Sequence, residues 1–374
     1  MISKMEMACI LKKNILIITL SLFTLLILGC IEKSEGNQEM VKLQPPSKGV
    51  YHCAYPDFGG SEDNATSERI SKFENLANKS IVWAAFSDNW GESNITFPKT
   101  AIETIHNQGV VPYLRMMPRT ELDEVDESNP VYKPDPNYSL QKIIDGNFDK
   151  QLREYAREVK QTNIPIIIDF ACEMDGKWFY WSGICNGGGT KDKYGDPTLA
   201  DGPEKYRDAY RHIINIFGEE GANNVTWVFH VDADSEPVES WNNYSAYYPG
   251  DDYMDWIGVS AYGSTYAGEE GENFTEIMDR AYPQLESISK TKPLAILEFG
   301  VNEGKDKPQW IKEALESIKN GKYPKIKAVS YWNENWEEDD GTTSKLRIDS
   351  SKESLEMYRQ EISDPFFIDK PIFN

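Results

Sequence analysis

Short β-rich runs alternate with segments of helical period from residue 48 to the end of the chain, and this alternation limits the possible folds most strongly. It is typical of βα units that build a parallel sheet, and eight such units predict an α/β fold, the (β/α)8 TIM barrel. One barrel would use nearly all of residues 48–374, so we expect a single domain. The eight runs are 49–54, 80–86, 110–115, 165–171, 224–231, 255–262, 293–300 and 326–333.

The segments between the runs carry the apolar period of 3.6 residues that predicts helices with one face on a sheet. Long stretches rich in Gly, Asp, Asn and Pro follow strands three, four and eight, at residues 116–139, 178–203 and 335–351. We interpret these stretches as extended βα loops. In a barrel of this type the functional site lies where such loops emerge, at the carboxyl ends of the strands.

The first 30 residues have the pattern of a targeting segment and are excluded from the fold. An apolar run at 15–28 is followed by Gly29-Cys30, and residues 27–30 resemble a prokaryotic lipobox, in which the cysteine is lipidated after cleavage. An uncleaved signal anchor is the alternative. Both predict a protein outside the cytoplasm, tethered to the membrane or secreted, with residues 31–47 as a polar tether.

The chain is strongly acidic, with 61 Asp and Glu against 39 Lys and Arg and a net charge of −22. Such a surface repels phosphate backbones, so we exclude nucleic acid as a partner, whereas a neutral polymer is not repelled. Four scattered histidines and the absence of a CxxC motif give no metal signature, and we expect neither metal nor cofactor. We also expect a monomer.

Two glutamates come directly after predicted barrel strands, Glu173 after strand four and Glu298 at the end of strand seven. A glutamate at the end of a buried strand is unusual unless it serves a site or a buried ion pair. Strands four and seven lie roughly across the barrel from each other, so both carboxyl groups can face one cleft. Hydrolysis of a glycosidic bond requires such a pair.

A long motif surrounds the first of these glutamates, and it resembles the H-E-M-N-G-x-W-F-x-W signature of glycoside hydrolase family 26. The resemblance continues in order along the chain and spans about residues 48–362. The motif reads Cys172-Glu173-Met174-Asp175-Gly176-Lys177-Trp178-Phe179-Tyr180-Trp181, and the further segments are 206–212, 221–225, 248–251, 255–258 and 298–300.

The resemblance implies a retaining double displacement with Glu173 as the general acid/base and Glu298 as the nucleophile. A covalent ester between Glu298 and the sugar is then the expected intermediate. The chemistry of that step requires Glu173 to carry a proton and Glu298 to be ionised when the substrate binds.

Four further residues are candidates for the sugar-binding site. The resemblance implies that Tyr262 hydrogen-bonds the nucleophile, that Trp332 lies beneath the reacting sugar and that Trp178 flanks it. Ordinary packing at the top of the barrel is the alternative for each tryptophan. Arg115, at the end of strand three, binds either the sugar or one of the two glutamates, and we favour the ion pair.

The sequence departs from the family motif at two positions, with Cys172 in place of His and Asp175 in place of Asn. The family histidine contacts the reacting sugar, so we count Cys172 as a substrate-binding residue and leave the choice of sugar open. Cys30 is assigned to lipid, so the three other extracytoplasmic cysteines allow at most one disulfide. We favour Cys172 with Cys185 over Cys172 with Cys53.

The substrate expected from the resemblance is a β-linked polysaccharide cleaved internally, with β-1,4-mannan first and β-1,3-1,4-glucan or β-1,3-xylan as alternatives. A non-catalytic carbohydrate-binding lipoprotein of the cell envelope is the alternative from another class. The presence of both glutamates argues against it, because a barrel without turnover has no need of the pair. A metal-dependent hydrolase is set aside because the sequence lacks a cluster of ligands.

Overall fold

Eight parallel strands pair in chain order and close into a barrel between the first and the eighth. The computed structural model describes residues 41–91, 94–122, 125, 131–337 and 341–374, and these residues belong to one compact unit. The predicted single-domain (β/α)8 barrel is confirmed. Its strands are β1 (Val50–Tyr55), β2 (Trp83–Asn89), β3 (Val111–Met117), β4 (Ile166–Phe170), β5 (Val225–Asp232), β6 (Trp256–Tyr262), β7 (Leu294–Gly300) and β8 (Ile326–Trp332).

Helices connect the strands and cover the outside of the barrel. The predicted apolar faces are buried: α5 packs through Tyr206, Ala209, Tyr210 and Ile213. The helices are α1 (Ser67–Ala77), α2 (Lys99–Asn107), α3 (Leu140–Ile144), α4 (Asp149–Thr162), α5 (Asp201–Glu220), α6 (Tyr244–Tyr247), α7 (Phe274–Ile288), α8 (Lys307–Lys319) and α9 (Lys352–Ile362). A strand enclosed by helices on one side and by the barrel interior on the other is buried on both faces, which explains the continuous apolar runs.

Three short strands lie outside the barrel proper. β9 (Asn335–Glu337) and β10 (Thr343–Lys345) form an antiparallel pair in the long loop after β8, and β11 (Phe367–Ile368) runs parallel to the start of β1. Within the part of the chain that the structure describes, none of the helices combines the length and apolar character needed to cross a lipid bilayer. The predicted targeting segment and Cys30 lie outside the described residues.

The segment that precedes β1 covers the amino-terminal end of the barrel. Leu43 is 2% exposed and borders a small apolar cavity with Trp83 and Trp256. Its backbone N–H donates to Thr226 Oγ1 at 3.0 Å, and its carbonyl accepts from Trp256 Nε1 at 3.2 Å. Residues 41–47, which the sequence analysis assigned to the polar tether, thus pack on the barrel through the side chain and backbone of Leu43.

We predict that Leu43→Ala lowers the free energy of unfolding by about 2 to 5 kcal/mol, because it removes buried methyl groups and enlarges the cavity at the barrel end. Val238→Ala is the matched control: that side chain is 93% exposed, so its loss changes stability by no more than about 0.5 kcal/mol. Urea denaturation of both variants measures the difference, provided that the free energy of unfolding depends equally steeply on urea concentration in both. Equal stabilities would show that residues 41–47 do not close the barrel.

Candidate active site

The backbone after β4 turns sharply and places Glu173 over the mouth of the barrel. Ala171 and Glu173 have φ values of +54° and +52°, a left-handed conformation that non-glycine residues adopt only when surrounding contacts hold it. The N–H of Ala171 donates to the carbonyl of Met116 at 3.0 Å, and that of Glu173 donates to the carbonyl of His230 at 2.9 Å. Neighbouring strands on both sides thus fix the turn.

Both oxygens of Glu173 have hydrogen-bond donors, and the residue is 7% exposed. Trp178 Nε1 donates to Oε2 at 2.9 Å, and the hydroxyl of Ser260 donates to Oε1. The ring of Trp178 reaches Glu173 by folding back over Gly176, where an added Cβ would lie 2.5 Å from the ring. A glycine is therefore required at this position of the motif.

Glu298 lies within β7 and is 5% exposed. The hydroxyl of Tyr262 donates to its Oε2 at 2.8 Å. Arg115 Nε lies 3.2 Å from Oε1, but the angle is too poor for a hydrogen bond, so charge attraction makes this contact. Burial raises the pKa of Glu298 to about 7, against the lowering effect of Arg115; the charge of Glu173 raises it further.

The two glutamates approach each other closely. One carboxylate oxygen of Glu173, one of Glu298 and a ring nitrogen of His230 all lie within 4.8 Å of one another. Retaining glycosidases hold their two carboxyl groups about 5 to 5.5 Å apart, whereas inverting enzymes need about 6.5 Å or more to admit a water molecule. This spacing is the one suited to direct attack by a carboxylate.

Arg115 is buried at the centre of the site and contacts groups from several strands. Its Nη1 lies 2.7 Å from Glu62 Oε2 and 3.3 Å from Ser87 Oγ, in addition to the contact with Glu298. Its guanidinium lies 4.9 Å from the centre of the Trp332 ring, close enough for a cation–π interaction. These contacts use Arg115 as an ion-pair partner of Glu298, which is the role that the sequence favoured.

Cys172 lies behind Arg115 and is fully buried, with its Sγ 3.4 Å from Arg115 Nη2. Burial raises the pKa of its thiol well above the usual value. A side chain without exposed surface offers nothing to a sugar, so this placement argues against the predicted contact between Cys172 and the substrate.

The predicted disulfide is wrong: Cys53, Cys172 and Cys185 are all free and buried. Cys185 lies in a short 3-10 turn, Ile184–Asn186, where its Sγ accepts from the hydroxyl of Ser182 at 3.8 Å. The Sγ of Cys172 accepts from Arg115 Nη2 instead. Each sulfur has its own environment, which sequence spacing does not reveal.

The predicted aromatic residues lie at the mouth of the barrel. Trp332 stacks on Tyr55 with ring centres 3.9 Å apart, and its Nε1 donates to Glu334 Oε2 at 3.1 Å. Trp178 and Tyr262 are half-buried and keep some surface for a ligand. The structure thus brings Trp332, Trp178 and Tyr262 around the two glutamates.

Three buried polar residues beneath the glutamates were missed by the sequence analysis. Asp169, His230 and Ser260 lie on β4, β5 and β6. His230 Nδ1 lies 2.6 Å from Asp169 Oδ2, and its Nε2 lies 2.8 Å from Ser260 Oγ. A signal was present in the sequence, because a charged residue inside the run Ile166-Ile167-Ile168-Asp169-Phe170 has to find a partner within the barrel.

The second departure from the family motif has a structural explanation. Asp175 is fully buried, and its carboxylate accepts from the N–H of Asp232 at 3.0 Å and from the hydroxyl of Ser235 at 2.9 Å. Burial raises the pKa of Asp175 to about 7. Asp175 therefore fastens the loop after β4 to the loop after β5.

Among the residues that the structure describes, two groups of side chains have the composition of a metal site. They are Glu173 with His230 and Glu298, and Asp169 with Cys172 and His230. Both groups depend on His230, whose two ring nitrogens already face Asp169 and Ser260. A metal ion could bind here only by displacing one of these partners. The donors are therefore arranged to hold one another and not a cation.

A cavity of about 450 Å³ opens at the same end of the barrel, beside the segments that follow β1 and β8. Polar and charged side chains line it, among them Asp57, Arg69, Asn333 and Arg347. Residues of helix α1 make up much of the remaining lining, and neither glutamate is part of it.

Comparison with known sequences places these features in a family. The sequence profile described as glycosyl hydrolase family 26 matches residues 129–340, more than half of the chain. Endoglucanase H of Acetivibrio thermocellus is 34% identical over 229 residues, which are 60% of this chain and 23% of that protein. The mannan endo-1,4-beta-mannosidase of Bacillus subtilis is 24% identical over 200 residues, 54% of this chain and 45% of the relative. The chain thus matches less than half the length of either relative.

Solved structures share the fold. A GH26 beta-mannanase from Bacteroides ovatus superposes with a TM-score of 0.60 at 19% identity, covering 86% of this chain and 90% of that one. At this level of identity the likeness concerns the barrel architecture.

We predict that Tyr262→Phe raises the pKa of Glu298 from about 7 by up to about one pH unit, because the carboxylate loses a hydrogen-bond donor. A ¹³C NMR titration of glutamate-labelled protein measures it, with the Glu298→Gln spectrum identifying the resonance. The control is Tyr323→Phe, which removes a similar hydrogen bond to the carboxylate of Asp279 on helix α7. A titration of Glu298 at or below its original midpoint would contradict this account of the site.

Proposed function

The chain belongs to glycosyl hydrolase family 26, and from this we propose that it is a retaining, endo-acting glycoside hydrolase. The first candidate for its substrate is a β-1,4-linked mannan. The observation that carries the proposal is the pair of buried glutamates with oxygens within 4.8 Å of each other at the mouth of the barrel. The ring surfaces of Trp332 and Trp178 suit the apolar faces of pyranose sugars.

In the first step Glu298 attacks the anomeric carbon while Glu173 gives its proton to the leaving oxygen. The bond between the anomeric carbon and that oxygen breaks, and an ester between the sugar and Glu298 forms. Tyr262 and Arg115 hold Glu298 in place from two sides, at 2.8 and 3.2 Å. Trp178 holds Glu173 through its hydrogen bond to Oε2.

In the second step Glu173, now a carboxylate, takes a proton from water as that water attacks the ester. The sugar leaves with its original β configuration and Glu298 is restored.

The pKa of Glu298 sets the lower limit of the pH range in which the proposed reaction runs. With a pKa of about 7, roughly half of the molecules carry an ionised nucleophile at neutral pH, and this fraction falls as the pH falls. Lowering the pH below about 7 therefore slows the proposed reaction, because fewer molecules carry an ionised Glu298.

The first choice of polymer follows from the relatives named mannan endo-1,4-beta-mannosidase. An endoglucanase at 34% identity favours a second candidate, a β-1,3-1,4-glucan.

We also propose that the protein works outside the cytoplasm, held to the membrane through lipid on Cys30. The support is the sequence pattern of residues 1–30, and a large insoluble polymer as substrate agrees with that location.

We predict that the protein releases reducing sugar from one polymer in a panel of β-mannan, galactomannan, lichenan and β-1,3-xylan. Glu173→Ala lowers the rate by roughly 10² to 10⁴-fold because it removes the general acid, and Glu298→Ala abolishes turnover. Reducing-sugar assays at several pH values measure both.

The control is Glu239→Ala, an exposed glutamate whose removal leaves the rate unchanged. Binding to a polymer without release of sugar by the unmodified protein would instead support the non-catalytic carbohydrate-binding lipoprotein.

We predict that cells expressing the protein incorporate radiolabelled palmitate into it, and that Cys30→Ala removes both the label and the membrane association. Cys185→Ala, which changes a buried cysteine of the barrel, keeps the label. Membrane association that survives Cys30→Ala without any label would support the uncleaved signal anchor.

A further inference from the structure

A buried row of side chains runs from Glu173 into the barrel. The hydroxyl of Ser260 donates to Glu173 Oε1, and His230 Nε2 lies 2.8 Å from Ser260 Oγ. His230 Nδ1 lies 2.6 Å from Asp169 Oδ2, which also accepts from the hydroxyl of Tyr113 at 2.7 Å. Ser260, His230 and Asp169 have no exposed surface, so bulk water does not compete for these bonds.

The charge of His230 follows from the direction of the Ser260 hydroxyl. Ser260 has a single hydroxyl hydrogen, and it is directed at Glu173. The contact between Ser260 Oγ and His230 Nε2 therefore needs a hydrogen on Nε2, and the contact with Asp169 needs one on Nδ1. With both ring nitrogens protonated, His230 is an imidazolium cation.

The surroundings of His230 favour that cation. Burial alone would lower the pKa of His230, but the carboxylate of Asp169 outweighs it and the pKa lies above its usual value. Carboxylate oxygens of Glu173 and Glu298 also lie within 4.8 Å of a ring nitrogen of His230. The Sγ of Cys172 lies within 4.8 Å of a ring nitrogen of His230 and of a carboxylate oxygen of Asp169. The charges of Asp169, Glu298 and Glu173 all raise the pKa of His230.

The same bonds distinguish the two oxygens of Glu173. Oε1 accepts the Ser260 hydrogen and is therefore the carbonyl oxygen when Glu173 is a carboxylic acid. The acidic hydrogen is left to Oε2, next to the half-buried Trp178. Oε2 can accept a hydrogen bond from Trp178 Nε1 and still donate its own hydrogen toward the mouth of the barrel.

We propose that Ser260 and His230 are positioning residues for the acid/base, and that charged His230 directs the Ser260 hydroxyl to Oε1 and so confines the catalytic proton to Oε2. This inference rests on the proposed function, in which Glu173 is the general acid. When the O–H bond at Oε2 breaks and the proton passes to the leaving oxygen, the new carboxylate keeps the Ser260 bond and the nearby positive charge. No proton moves along the row.

The test compares two substrates that differ in their need for an acid. Mannopentaose has a sugar alcohol as leaving group and requires protonation, whereas 2,4-dinitrophenyl β-mannobioside has a leaving group that departs without it. We expect Ser260→Ala to lower kcat/KM for mannopentaose by roughly 10 to 100-fold, part of the full effect of a general acid. For the dinitrophenyl glycoside we expect a change of no more than about threefold.

Two further variants separate this role from a loss of packing. His230→Gln, which keeps a polar side chain but no charge, should show the same selective loss. Ser330→Ala, the same change at another buried serine of the barrel, should affect neither substrate. Equal losses on both substrates in Ser260→Ala and His230→Gln, or no loss on either, would overturn the proposal.

Glu173→Ala, measured alongside, distinguishes failure of this inference from failure of the proposed function. A selective loss in Glu173→Ala without one in Ser260→Ala overturns only the role of the row. A Glu173→Ala variant without any preference between the substrates removes Glu173 as the acid, and the proposed function fails with it. If the polymer panel selects β-glucan, the corresponding gluco-oligosaccharides replace both probes.

Discussion

Two carboxyl groups lie almost completely out of water at one end of the barrel, and the site depends on how their charge is balanced. Isolated buried carboxylates are strongly disfavoured, and two of them within 4.8 Å also repel each other. Arg115 lies against Glu298, and His230, held by Asp169, lies close to both glutamates. Each of these two cations also faces a further carboxylate, Arg115 that of Glu62 and His230 that of Asp169. Without either one, a buried negative charge would have no partner.

Strand register brings these groups together. Arg115 on β3 pairs with Asp169 on β4, and Ser260 on β6 pairs with Glu298 on β7, so several polar side chains share the upper part of the barrel. The register shifts between Val259 and Ser260, which places Ser260 opposite Glu298. Glu173 enters from outside the strand, on the left-handed turn after β4. A short strained segment thus completes a layer that the strands build.

Much of this arrangement could be predicted from the chain alone. Eight apolar runs with helical segments between them led to the barrel, and the positions of Glu173 and Glu298 at strand ends led to the site. The predicted pairing of Cys172 with Cys185 was wrong because spacing along the chain does not tell where a buried sulfur points. The packing of Leu43 could not be predicted either, because the space beside it forms only when several strands, among them those of Trp83 and Trp256, come together.

The chemical consequence of the buried pair is the stereochemistry of the reaction, and ¹H NMR of the first product formed from a defined oligosaccharide tests it most directly. An oxygen-to-oxygen distance below 4.8 Å agrees with the shorter carboxyl separation of retaining enzymes, so the account has Glu298 attack the sugar and the first product carry the β anomer. The account predicts that the β signal appears first and converts to α only by slow mutarotation. An α anomer as the first product would contradict it, because water would then have attacked the sugar directly.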